Sequence, residues 1–214
     1  MSQSYKIITP ASTYPVTVAE AKGYLRVDWA DDDALIDGLI ARAVAYAEAV
    51  THRAFALQRL QVVETIERPP GGELSGPFTL GPSWYQFNEQ LGANPFGPAQ
   101  FTFDLPKPPI FIDDTHTLTI ETKVTAFDSW VAFTGQTYLD DNREPARLFV
   151  RDPITANFYR FTYTAGYTST YPLPADLRRI LLDLTSFYYD HRGDDAPVPE
   201  SLTLQLLSKR VDWL

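Results

Sequence analysis

The sequence predicts an α+β fold in which a helical bundle, formed by both ends of the chain, carries an inserted antiparallel β-rich domain. Apolar residues recur at helical spacing near the N-terminus and again after residue 174, and segments rich in Thr, Val, Phe and Tyr lie between. Because neither terminal pair of helices has enough apolar surface to be stable alone, the two pairs should pack together. The predicted division is 1–55 and 172–214 for the helical domain and 56–171 for the β-rich domain.

The N-terminal helices are predicted from their start signals. Thr17 and Glu20 have the spacing of a capping box, which predicts a short helix ending near Arg26. An acidic run then marks a second helix start, where the positive end of the helix dipole favours carboxylates. This run consists of Asp28, Asp31, Asp32 and Asp33.

Helical periodicity is strongest in one segment from each end of the chain. Residues 34–51 and residues 175–190 each place their apolar side chains on one face. A shorter helix is predicted over residues 199–208, which leaves 209–214 as a tail. The polar face of the 34–51 helix carries Asp37, Arg42 and Glu48.

The middle of the chain is predicted to form strands around one long loop. Residues 69–98 contain six prolines and six glycines, a composition that sustains neither a helix nor a central strand. Its length favours a functional contact or disorder over a simple connection. Alternation and β-branched or aromatic content predict strands at 57–68, 101–105, 115–127, 136–139, 147–150 and 158–164.

Composition excludes several classes of protein. The formal charge of −9 disfavours non-specific binding to nucleic acid, which needs clustered Lys and Arg. The chain has no cysteine, which excludes disulfides, thiol nucleophiles and thiolate zinc sites. No signal-peptide pattern and no membrane-length apolar run is present, so the sequence predicts a soluble, acidic, intracellular protein.

No catalytic, metal or cofactor site is predicted. The acidic run at 28–33 lacks the glycine and the distal glutamate of a calcium loop, so helix-start electrostatics explains it better. His52, His116 and His191 lie on separate elements without ligand spacing. The chain contains no phosphate-binding loop, dinucleotide fingerprint or nucleophile elbow. We therefore predict that it is not an enzyme.

Three segments in this order resemble the head–tail connector (adaptor, head-completion) family of long-tailed bacteriophages and gene transfer agents. The first is Pro15-Val-Thr-Val-Ala-Glu-Ala-Lys-Gly-Tyr-Leu-Arg-Val-Asp28 with the acidic run that follows it. The second is Leu105-Pro-Lys-Pro-Pro-Ile110. The third is Phe161-Thr-Tyr-Thr-Ala-Gly-Tyr167, followed by Leu173-Pro-Ala-Asp-Leu177 and the helix through Arg192. The loop at 69–98 is longer than this family leads us to expect.

The resemblance implies a virion structural protein of the neck, assembled in the host bacterial cytoplasm. Its subunits would form a dodecameric ring beneath the portal protein, with a neck component or tail terminator on the other side. DNA would pass through the channel without specific binding, no cofactor would be needed, and the isolated protein would be monomeric.

Two candidate contact sites follow. The resemblance assigns the tail Lys209, Arg210, Val211, Asp212, Trp213 and Leu214 to the portal interface, although its two large apolar residues could equally pack on their own bundle. The aromatic residues Trp84, Tyr85 and Phe87 are candidates for a subunit or tail interface. They could instead cover the apolar face of the β-rich domain, or bind a sugar.

Other functions stay open from sequence alone. A tail-terminator or baseplate subunit would have helices that decorate a sheet rather than form their own bundle. A carbohydrate-binding module would use Trp84, Tyr85 and Trp130 as an aromatic platform. An enzyme that uses two converging carboxylates is the third alternative.

Overall fold

The computed structural model describes residues 4–66, 100–151, 156–194 and 196–212. Its helices are α1 (Val18–Leu25), α2 (Asp33–Thr51), α3 (Ala175–Asp190) and α4 (Glu200–Leu207). Its strands are β1 (Ser4–Thr9), β2 (Gln58–Thr65), β3 (Gln100–Leu105), β4 (Ile110–Phe111), β5 (Thr119–Lys123), β6 (Val131–Ala132), β7 (Gln136–Asp140), β8 (Ala146–Arg151) and β9 (Phe158–Ala165).

The four helices share one apolar core, which confirms the prediction that the two ends of the chain come together. Ile36, Ile40 and Val44 of α2 pack with Leu177 and Leu181 of α3 in a cluster almost closed to solvent. Burial of each such side chain stabilises the fold by roughly 1.5–3 kcal/mol. The bundle therefore depends on residues more than a hundred positions apart in sequence.

Of the two hydrogen bonds that the predicted capping box of α1 would contain, the structure shows the one that Thr17 accepts, whereas the Glu20 side chain bonds to α3. Thr17 Oγ1 accepts a hydrogen bond from the Glu20 N–H at 3.2 Å, as in a capping box. The Glu20 carboxylate accepts two bonds from Arg178 Nη1 of α3, at 3.0 and 2.9 Å. Glu20 therefore links α1 to α3 as well as lying in the first turn of its own helix.

The β region consists of two antiparallel sheets. One has the strand order β1-β2-β9-β5-β6, with β4 also paired to β9, and the other has the order β3-β8-β7. Their facing side chains form a second apolar core, in which Phe103 lies 5.0 Å from Tyr159 and 4.8 Å from Phe161 between ring centroids. The α+β class with an inserted antiparallel β region is confirmed.

The strand boundaries differ from the prediction in two ways. Strands β1, β4 and β6 were not predicted, and β1 brings residues 4–9 of the N-terminal segment into the sheet beside β2. The segment predicted as one strand over 115–127 forms only β5 in its middle, because turns occupy both flanks. Asp113 Oδ1 accepts the Thr115 and His116 N–H groups on one side, and Asp128 Oδ2 accepts the Thr125 N–H on the other.

Among the helices of the described ranges, none combines the length and the apolarity that crossing a membrane requires.

Candidate functional site

A buried polar cluster joins the helical bundle to the β region. This junction cluster consists of Glu48, Gln58 and Lys107 with the backbone N–H groups of Phe55 and Ala56. One Glu48 carboxylate oxygen accepts the Phe55 N–H at 2.8 Å and the Ala56 N–H at 3.2 Å. Gln58 Nε2 lies 3.2 Å from both carboxylate oxygens, and Lys107 Nζ lies 3.6 Å away. The cluster fixes the exit from α2 against the start of β2.

Glu48 is not a solvent-facing residue, although helical periodicity assigned it to the polar face of α2. Its side chain is only 13% exposed. The reason is the chain reversal after α2, where His52 adopts a left-handed conformation with φ 58°. The reversal returns the Phe55 and Ala56 amides to the carboxylate, which no helical periodicity can indicate.

Two of the three segments that carry the family resemblance meet beside this cluster. The Ala54 N–H donates a hydrogen bond to the Pro108 carbonyl at 3.0 Å, and the Gly166 N–H donates one to the Pro109 carbonyl at 2.9 Å. The buried Tyr163 hydroxyl donates to the Pro106 carbonyl at 2.6 Å. Burial raises the pKa of the Tyr163 phenol well above its usual value, so it acts as a neutral donor. These bonds join the proline step to the residues after α2 on one side and to the end of β9 on the other.

Arg53 ties three parts of the chain together at the end of α2. Its Nη2 pairs with Glu144 Oε2 of the β7–β8 connection at 2.6 Å. Its Nε donates to the Lys209 carbonyl at 2.8 Å, in the tail that follows α4. A guanidinium suits this role because it presents several donors in a fixed plane.

The described part of the predicted portal tail lies on its own bundle. Val211 is buried and donates its N–H to the Thr51 carbonyl at 2.9 Å. Lys209 Nζ pairs with Asp176 at 2.5 Å, and Arg210 pairs with Asp212 at 2.7 Å. Trp213 and Leu214 lie outside the described residues. The portal assignment of Lys209, Arg210, Val211, Asp212, Trp213 and Leu214 stays a prediction.

The acidic run at the start of α2 is used for tertiary contacts. Asp33 Oδ1 pairs with Lys22 Nζ of α1 at 2.6 Å. Asp32 Oδ2 accepts from the Tyr189 hydroxyl of α3 at 2.5 Å and from Trp29 Nε1 at 3.1 Å. The described ranges contain no group of three or more His, Asp or Glu side chains placed to hold a metal ion.

The Asp32 contacts predict a pH dependence of stability. The hydrogen bond from Tyr189, and next that from Trp29, lower the pKa of Asp32 below its usual value. A depressed folded-state pKa gives stability that is present above the unfolded pKa and is lost as the pH falls through the folded pKa. We expect Asp32→Asn to flatten the fall of melting temperature with pH below about 4, the ordinary aspartate pKa. Asp31→Asn, which removes the neighbouring exposed charge, is the matched control; equal profiles for both variants would contradict the assignment.

The three histidines do not form a common site. His116 Nδ1 lies 2.8 Å from Asp113 in a turn, and His191 Nδ1 lies 2.9 Å from the Phe187 carbonyl at the end of α3. His52 Nδ1 lies 3.9 Å from Asp212 near the tail. The contacts of His116 and His191 are local, whereas that of His52 joins the end of α2 to the tail.

Of the predicted aromatic platform, only Trp130 lies in the described part of the chain; Trp84, Tyr85 and Phe87 lie outside it. Two cations lie over the Trp130 ring, Arg160 at 4.5 Å and Lys123 at 4.9 Å from its centroid. These cation–π contacts occupy part of the ring surface on which a sugar would stack, and the carbohydrate platform stays an alternative.

Two exposed apolar features were missed by sequence reasoning. All six residues of β1 are exposed, including Tyr5, Ile7 and Ile8. At the β5–β6 turn, Phe127 is 99% exposed. The apolar Tyr5-Lys-Ile-Ile8 run could have indicated the strand, but no local pattern indicates which side chains a fold leaves uncovered.

Solved structures with a similar fold include three chains from gene transfer agent particles. The neck of an empty gene transfer agent particle, computed with C6 symmetry, contains a chain that matches with a TM-score of 0.62 and 18% identity, over 99% of this chain and 97% of that one. A chain from the neck of a native particle, computed with C12 symmetry, matches with a TM-score of 0.60 and 19% identity, over 100% and 97%. A chain from the virion of a native gene transfer agent matches with a TM-score of 0.60 and 18% identity, over 98% and 96%.

No protein-family model matches the chain, and no curated protein does. At this level of identity the likeness establishes the fold. Because it covers nearly the whole of both chains, it includes the helical bundle and the β region in their common arrangement.

Proposed function

We propose that this chain is a head–tail connector, a structural subunit of a neck ring that joins the DNA-filled head of a tailed phage or gene transfer agent to its tail. The observation that carries the proposal is the full-length fold likeness to chains of gene transfer agent necks with C6 and C12 symmetry. The three segments that resemble the connector family are an independent support. In the structure they lie at α1–α2, at the proline step into β4 and at β9–α3.

The helical core also favours a connector over a tail-terminator or baseplate subunit. The helices of a connector are expected to form a bundle of their own, whereas those of a tail-terminator or baseplate subunit are expected to pack onto a sheet. Here α1, α2, α3 and α4 share one core, separate from the core between the two sheets.

A connector of this kind does no bond chemistry. It presents two different lateral surfaces that close into a ring when the rotation per subunit divides a full turn. The formal charge of −9 has a role if part of it lines the channel, because carboxylates repel phosphates and DNA then slides without sticking. Neutralising channel-facing acids is expected to slow DNA ejection; unchanged ejection kinetics would count against this role.

The proposal is tested by removing the gene from the element that encodes it. We expect lysates to contain heads filled with DNA and separate tails, counted by negative-stain electron microscopy. Supplying the wild-type chain in trans should restore joined particles. Tailed particles of normal appearance in the absence of the chain would refute the proposal.

The portal is the proposed partner of the tail. Residues 209–211 are held on the bundle by contacts with Asp176, Thr51 and Arg53, so the portal contact is proposed for the residues that follow them. We expect Trp213→Ala with deletion of Leu214 to weaken co-sedimentation with portal rings, since buried aromatic anchors carry much of an interface's energy. The melting temperature should stay within the error of the wild-type value.

Leu204→Ala is the matched control for this experiment, because Leu204 is an exposed apolar residue on the adjacent α4. It should bind portal rings like the wild-type chain. Normal portal binding by the tail variant would place the portal contact elsewhere on the molecule.

A further inference from the structure

Arg53 shares one edge of its guanidinium between two acceptors from distant parts of the chain. Its Nε donates to the Lys209 carbonyl oxygen of the tail at 2.8 Å, and its Nη2 pairs with Glu144 Oε2 of the β7–β8 connection at 2.6 Å. Nε and Nη2 lie on the same edge of the guanidinium plane, and together they form the fork that a single carboxylate can fill with both oxygens. At Arg53 this fork is divided between the tail and the β region.

Two other arginines of the protein show how a carboxylate fills the same fork. Arg147 holds Asp104 through Nε at 2.6 Å and Nη2 at 3.0 Å. Arg160 holds Glu121 through Nε at 2.7 Å and Nη2 at 2.6 Å. At Arg53, the tail carbonyl therefore stands in the place that a second carboxylate oxygen takes at the other two arginines.

Glu144 has a second oxygen with which to fill that place. Its side chain is 40% exposed, and its Oε1 has no partner among the residues that the structure describes. A charged acceptor forms a stronger hydrogen bond with a guanidinium than a neutral carbonyl does. A rotation of the Glu144 carboxylate would therefore give Arg53 the two-oxygen pairing that is seen at Arg147 and Arg160.

The tail is the part of this arrangement that opens at the lowest cost. Lys209 and Asp176 form an ion pair whose side chains are 42% and 50% exposed, and such exposed pairs contribute little to stability. Val211 supplies the buried apolar side chain of residues 209–212. A segment with so few buried contacts opens locally, without unfolding of the rest of the chain. In that open state the Lys209 carbonyl no longer contacts Arg53.

Opening of the tail without a substitute acceptor would leave the guanidinium with an unsatisfied donor. The Arg53 side chain is only 12% exposed, and a buried donor that loses its acceptor is costly. The buried Tyr167 forms a side-chain hydrogen bond with Arg53 and stacks on Phe55, so it limits access of water from the side of β9. Glu144 is the acceptor that already contacts the same fork.

We propose that Arg53 is a two-state switch: with the tail seated it binds Lys209 and Glu144 by one bond each, and with the tail released it binds Glu144 by two. Glu144 is then a substitute acceptor that lowers the free energy of releasing the tail. Release of the tail also binds the β7–β8 connection more firmly to the end of α2, so it changes how the β3-β8-β7 sheet is held. The switch is a property of the isolated chain, and only its trigger, the portal that takes up the tail, rests on the proposed function.

A thiol in the tail measures how often the tail opens, because the natural chain contains no cysteine. Val211→Cys places the thiol at a buried position, so a disulfide reagent in solution reacts with it only in the open state. In this background Glu144→Gln should slow the reaction by about fivefold or more, since a glutamine offers one oxygen and cannot fill the fork. Asp141→Asn, which neutralises an exposed carboxylate of the same connection, is the matched control and should leave the rate unchanged.

Three outcomes of the labelling experiment would overturn the switch. A faster reaction in Glu144→Gln would show that Glu144 supports the seated tail rather than its release, and an unchanged rate would show that the two are not coupled. Ala43→Cys places a thiol in the core of the bundle and reports unfolding of the whole chain. Its thiol should react much more slowly than the thiol at position 211; equal rates would show that the tail has no local open state.

Nitrogen-15 NMR of the Arg53 Nε–H group tests the released state. Val211→Asp releases the tail in the full-length chain, because an unpaired charge is costly at a buried apolar position; Leu204→Asp, on the exposed face of α4, is its control. The Nε–H signal should stay protected from exchange with water in Val211→Asp and lose that protection in Val211→Asp/Glu144→Gln. Loss of protection in Val211→Asp alone, or protection that survives in the double variant, would overturn the switch.

Failure of the switch and failure of the proposed function are distinguishable, because both measurements use the isolated chain. A working switch in a chain that is dispensable for joining heads to tails would refute the connector role alone. Heads without tails in the absence of the gene, together with a tail whose opening does not respond to Glu144→Gln, would overturn the switch alone.

Discussion

Replacing Glu48 with alanine is expected to lower the free energy of unfolding by about 3–5 kcal/mol, the cost of breaking a buried ion pair by removing one partner. The Phe55 and Ala56 N–H groups would lose their acceptor, and both residues are buried. Lys107 Nζ would lose its carboxylate in a side chain that is 10% exposed. For a chain of this size the melting temperature should fall by roughly 6–20 °C.

Urea denaturation followed by circular dichroism measures this effect. Asp37→Ala is the matched control, because it removes an exposed carboxylate from the same helix. It should change the free energy of unfolding by no more than about 0.5 kcal/mol. A Glu48→Ala variant as stable as Asp37→Ala would show that the junction cluster does not hold the β region in place.

Replacing Gly166 with alanine is expected to cost about 3 kcal/mol or more, the sum of backbone strain and a steric clash. Gly166 has φ +127°, a conformation that side chains other than glycine rarely adopt. An added Cβ would lie 2.4 Å from the Ala56 carbonyl oxygen and 2.8 Å from Leu57 Cα. Both contacts are with backbone atoms, so no rotamer change can relieve them.

The measurement is again the free energy of unfolding, and Gly38→Ala is the paired control. Gly38 lies in the interior of α2, and a Cβ there would meet nothing within 4 Å. Because glycine is a poor helix former, Gly38→Ala should stabilise the protein by roughly 0.5–1 kcal/mol. Changes of the same sign in both variants would contradict the proposed role of Gly166.

Both large effects fall at the same place in the molecule. Glu48 contacts the Ala56 amide and Gly166 lies against the Ala56 carbonyl, so the short link between α2 and β2 is held from two sides. We therefore expect either variant to loosen the β region from the bundle. If the chain is a neck connector, such variants should yield heads without tails at temperatures where the wild-type chain still joins them.

Local patterns predicted the regular elements well. The starts of α1 and α2 follow from Thr17 and Asp33, and the buried face of α2 follows from the apolar spacing of 34–51. Both signals are local, because caps and periodicity act within one turn. Strand β2 follows from alternation, and β9 follows from its content of Thr, Phe and Tyr. The short strands β4 and β6 could not be predicted, since two residues carry no period and form strands only because β9 and β5 lie beside them.

By itself, the sequence determined the helices, the longer strands, the α+β class and the meeting of its two ends, because periodicity, caps and the need to bury apolar faces are local or compositional properties. Only the tertiary structure decided that Glu48 is buried at a junction and that Phe127 stands in water. It also decided that, among the strands of the described ranges, β1 lies at the end of the larger sheet with Tyr5 and Ile7 exposed. These properties depend on what other parts of the chain bring alongside each residue, and no short window of sequence contains that information.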